Sequence, residues 1–109
     1  ILYNKGLALH VICQYENAIT CYDQILTVDQ NNVKTLYSKS KTILMQGKIL
    51  DSLNILRKII DQEPIYKEII KKDKDFDRVQ DNQLFKVILK ARTEFDKLNE
   101  KQIFNKVKH

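Results

Sequence analysis

An all-α protein made of antiparallel helix hairpins is the fold this sequence predicts, and three observations predict it. The sequence matches itself when slid by 34 positions. Within each copy the apolar residues advance at helical spacing. Two glycines and one proline in 109 residues are too few for the regular turns of a strand-rich sandwich or barrel.

The self-match pairs like with like. Leu2 falls on Leu36, Tyr3 on Tyr37, Lys5 on Lys39, Gly6 on Ser40 and Leu9 on Ile43. Further along, Tyr15 falls on Ile49, Ala18 on Ser52, Ile19 on Leu53, Tyr22 on Leu56, Ile25 on Ile59 and Leu26 on Ile60. Apolar meets apolar and small meets small, as expected of a repeated supersecondary unit.

The elements follow in order. Tyr15, Ala18, Ile19, Tyr22, Ile25 and Leu26 lie on one face of a helix, and Ile49, Leu53, Leu56, Ile59 and Ile60 repeat that face. Asn31 and Asn32 suit a helix start, because a short polar side chain accepts from the first free amides. Gly47 suits a left-handed turn between two helices, and Pro64 suits the first turn of the next. The spacing predicts helices over about 1–12, 15–29, 33–46, 48–62 and 64–72. The first helix opens in mid-pattern, so we expect the chain to be a segment of a longer protein.

A period of 34 residues built from two helices resembles the tetratricopeptide repeat. Tyr3-Asn4-Lys5-Gly6-Leu7-Ala8-Leu9 resembles the opening of that motif. Tyr15-Glu16-Asn17-Ala18-Ile19 with Tyr22 resembles the start of its second helix, and residues 29–32 its closing turn. The second unit ends on Pro64, where the family places its proline. The resemblance covers residues 1–64, two repeats with the first truncated at its N-terminus, and about 60% of the chain. Some positions depart from it. Gln30 stands at the usual closing proline, Cys13 at the usual inter-helix glycine, and Ile25 and Ile59 at a usual alanine. The resemblance implies a short right-handed superhelix, an α-solenoid.

Residues 65–109 read as capping helices and a helical extension. Ile69-Ile70, residues 73–77, Asp81-Asn82 and Leu84-Phe85 resemble the ending that follows the last repeat in this family. A stack needs such an element to cover its final face, and Phe76, Val79, Phe85 and Leu89 are the residues expected to do it. Leu84, Ile88, Ala91, Phe95 and Leu98 step by 4, 3, 4 and 3, a narrow heptad-like seam. It reads as packing within the cap or as a seat for a partner helix.

Composition narrows the function. The chain is 43% hydrophobic and 30% charged, with a net charge of +5. Residues 1–63 carry a net +1 and residues 64–109 a net +4, so the basic excess lies at the C-terminal end. No apolar run is long enough to span a membrane, so no membrane insertion is expected. Cys13 and Cys21 form no paired motif and read as reduced thiols of an intracellular, cytoplasmic protein. Asp73, Asp75 and Asp77 have the opening spacing of a calcium loop, but Arg78 and Leu84 stand where such a loop needs glycine and a chelating glutamate. His10, Cys13 and Cys21 match no common zinc spacing. There is no glycine-rich phosphate loop and no nucleophile elbow. We expect no enzyme, no metal, no cofactor and no small-molecule substrate.

The expected function is a protein–protein interaction scaffold within a larger assembly. The family resemblance implies that the first helix of each unit lines a concave groove holding a peptide or helix of a partner protein. Carried onto this sequence, the lining is Tyr3, Asn4, Leu7, His10, Lys34, Tyr37, Ser38, Lys41 and Leu44. Tyrosines offer rigid contact area with a polar tip, and the two lysines favour an acidic ligand. The alternative is a nucleic-acid-associated helical repeat using the basic end. Against it, the lysines there alternate with acids, as in Lys71-Lys72-Asp73-Lys74-Asp75.

Overall fold

The structure, a computed structural model, describes residues 1–90 and 94–108, without the side chains of residues 94, 95, 99 and 108. Among the described residues there is no strand. Helices α1 (Leu2–Val11), α2 (Tyr15–Val28), α3 (Val33–Met45) and α4 (Ile49–Gln62) are followed by α5 (Tyr66–Lys72), a 3-10 helix (Lys74–Val79), α6 (Gln83–Lys90) and α7 (Glu94–Lys108). The chain divides into two compact units, Ile1–Glu63 and Pro64–His109. In the first, α1 pairs with α2, α3 pairs with α4, and α2 lies against α3.

The two hairpins turn by the same device. After α1, the Cys13 amide donates to the His10 carbonyl (3.0 Å) and the Gln14 amide to the Leu9 carbonyl (2.8 Å). After α3, Gly47 donates to Leu44 (2.9 Å) and Lys48 to Ile43 (3.3 Å), each partner 34 residues on. This paired bonding closes a helix end when one residue adopts the left-handed conformation. Gly47 does so at φ +82° without cost, whereas Cys13 does so at φ +64° while carrying a side chain. A left-handed residue with a Cβ costs about 1–2 kcal/mol, partly offset in a Cys-to-Gly change by the greater freedom of the unfolded chain. Cys13→Gly is therefore expected to raise stability by roughly 0.5–1 kcal/mol. An unchanged or lower urea midpoint would show that the turn is not strained. Asn32 caps α3, its side chain accepting from the Thr35 amide at 3.0 Å.

Small residues set how closely each hairpin packs. In the first, Gly6 and Ala18 are both buried, and Tyr22, fully buried, lays its ring on Gly6. In the second, Ser40 and Ser52 hold the matching positions, both fully buried. The Ser52 hydroxyl donates to the Ser40 carbonyl at 2.7 Å, satisfying two polar groups that burial would otherwise penalise. Leu36, Ile43, Leu44, Leu53, Leu56, Ile59 and Ile60 complete this core.

The second unit has its own core of Ile70, Phe76, Val79, Phe85 and Ile88. The Phe76 and Phe85 rings stack with centroids 6.1 Å apart and planes 21° apart. Asn82 caps α6 by accepting from the Phe85 amide at 3.0 Å, and Asp73 opens the 3-10 helix by accepting from the Asp75 amide at 3.0 Å. Lys67 of α5 and Asp96 of α7 form an ion pair at 3.0 Å.

Two expectations need adjusting. The helix placed over 64–72 starts at Tyr66, because Pro64 and Ile65 form a turn whose Pro64 carbonyl accepts from Lys67. In the seam from Leu84 to Leu98, Ile88 is buried and Leu98 is 60% exposed. Ala91 and the Phe95 side chain lie outside the described residues.

Candidate protein-binding face

The first helix of each hairpin contributes one side of a common face. Helical spacing places Tyr3, Leu7 and His10 along α1, and Lys34, Tyr37, Ser38 and Lys41 along α3. Direct bonds then tie the two helices together. The Tyr3 hydroxyl lies 2.7 Å from the Ser38 hydroxyl. The Lys34 ammonium sits over the Tyr3 ring, 4.4 Å from its centroid. Near the other end of α1, His10 Nδ1 lies 2.8 Å from the Thr42 hydroxyl. The same Thr42 hydroxyl reaches the Ser38 carbonyl at 3.1 Å, so it links both helices at this end.

Both lysines of this face lie on aromatic rings. Lys41, one turn beyond Tyr37, holds its ammonium 4.7 Å from the Tyr37 ring centroid. A cation over an aromatic face is worth about 0.5–1 kcal/mol at an exposed site. That favours each lysine's place over its ring only modestly. Beneath them, Tyr22 joins the face to the core, its ring 6.1 Å from that of Tyr3. Burial pushes the Tyr22 phenol above its usual pKa; Tyr3 adds to the rise, and a hydrogen bond with Thr42 opposes it. The His10 and Tyr15 rings meet at 5.6 Å and close the far end.

The nine residues expected on this face do not all lie on it. Tyr3, Lys34 and Ser38 come together across the two helices, Tyr37 and Lys41 pair on α3, and His10 joins through Thr42. Asn4 and Leu7 stand exposed on α1. Leu44 is 1% exposed and belongs to the core, because it lies inward between α3 and its neighbours. Thr42 was not foreseen in the sequence. Its signal was a polar residue aligned with Ala8, on a helix face otherwise small or apolar.

Among the described residues no group of three or more His, Cys, Asp or Glu side chains gathers where an ion could be held. Among them, too, no helix is long and apolar enough to cross a membrane. Compared with models of protein families, with curated proteins and with solved structures, the chain matches none.

Proposed function

We propose that this chain is a protein-binding module of the tetratricopeptide repeat class, working as one part of a larger assembly. Its two hairpins stack as a short stretch of right-handed α-solenoid. The face formed by α1 and α3 holds an acidic peptide or helix of a partner protein, and no bond-making chemistry is involved. The supporting observation is the set of contacts that places Lys34 and Lys41 on the rings of Tyr3 and Tyr37, with Ser38 bridging the helices. Aromatic area beside positive charge is the composition of a recognition surface.

The test is capture of a partner with the full chain as bait, in three forms. The double variant Tyr37→Ala with Lys41→Glu is expected to lose the captured protein while keeping its helical circular dichroism. A variant with Lys86, Lys90, Lys97 and Lys101 changed to glutamine is expected to keep it. Loss in the second variant alone, with steep salt dependence and sensitivity to nuclease, would transfer the function to nucleic acid at the basic end.

A further inference from the structure

We draw no further inference here: the strongest candidate, the exposed apolar side chains at the turns of the two hairpins (Val11 and Ile12 at the end of α1, Met45, Ile49 and Leu50 about the turn from α3 to α4), carries none, because nothing in the structure shows what covers them.

Discussion

Phe85→Ala is expected to cost about 3–5 kcal/mol, enough to unfold the second unit under mild conditions. Phe85 is 1% exposed, and its ring stacks on Phe76, itself fully buried. Removing the ring withdraws apolar area from the core and leaves a cavity that the surrounding short helices must collapse around. It also removes the aromatic pair, worth about 0.5–1.5 kcal/mol beyond simple burial. The Asn82 cap stays, because it bonds the amide of residue 85 and not the side chain. The loss should therefore appear in the urea midpoint as packing energy. A midpoint unchanged from wild type would mean that this ring is not part of a core.

Tyr22→Ala should have an effect of similar size on the first unit, about 3–5 kcal/mol. Tyr22 is fully buried, and its ring lies against Gly6 of α1 and near Tyr3. The dependence on Gly6 sharpens the expectation. A Cβ built at position 6 would stand 2.5 Å from Cε1 of Tyr22 and 2.9 Å from Cζ. Neither the buried ring nor the helix can yield that distance easily. Gly6→Ala should thus cost about 1–3 kcal/mol from overpacking, reduced by the roughly 1 kcal/mol that alanine gains over glycine in a helix. In a Tyr22→Leu background the same substitution should be neutral or stabilising, because the obstructing ring is gone. Additive effects in that double-mutant cycle would show that the two residues do not meet.

Much of this arrangement is legible in the sequence, for identifiable reasons. The 34-residue match locates both hairpins, because a repeated apolar face requires a repeated packing partner. Gly47 and Asn32 announce a turn and a cap because few other residues serve there, and both act as expected. What stays hidden depends on through-space contact. Nothing local says that Gly6 is reserved for the ring of Tyr22, sixteen positions on. Leu44 follows Lys41 by one helical turn and so reads as part of the same face, yet the helix is covered on that side. Pro64 suits either a first helical turn or a turn ahead of it, and only the Pro64 to Lys67 bond decides. The stacking of lysines on tyrosines combines an i, i+4 pair, readable on one helix, with the Lys34 and Tyr3 contact across two helices, which is not.

The measurement that bears most directly on the binding face is amide shift mapping by NMR with a peptide selected on the full chain from a displayed random library. The selected sequences are expected to be rich in Asp and Glu. Titration should move the amides of Tyr3, Lys34, Tyr37, Ser38 and Lys41 and leave those of α7 in place. If the selected peptides instead carry no acidic bias, or if the shifts gather at Lys97, Lys101 and Lys106 of α7, the α1 and α3 face is not the binding surface and the function assigned to it is wrong.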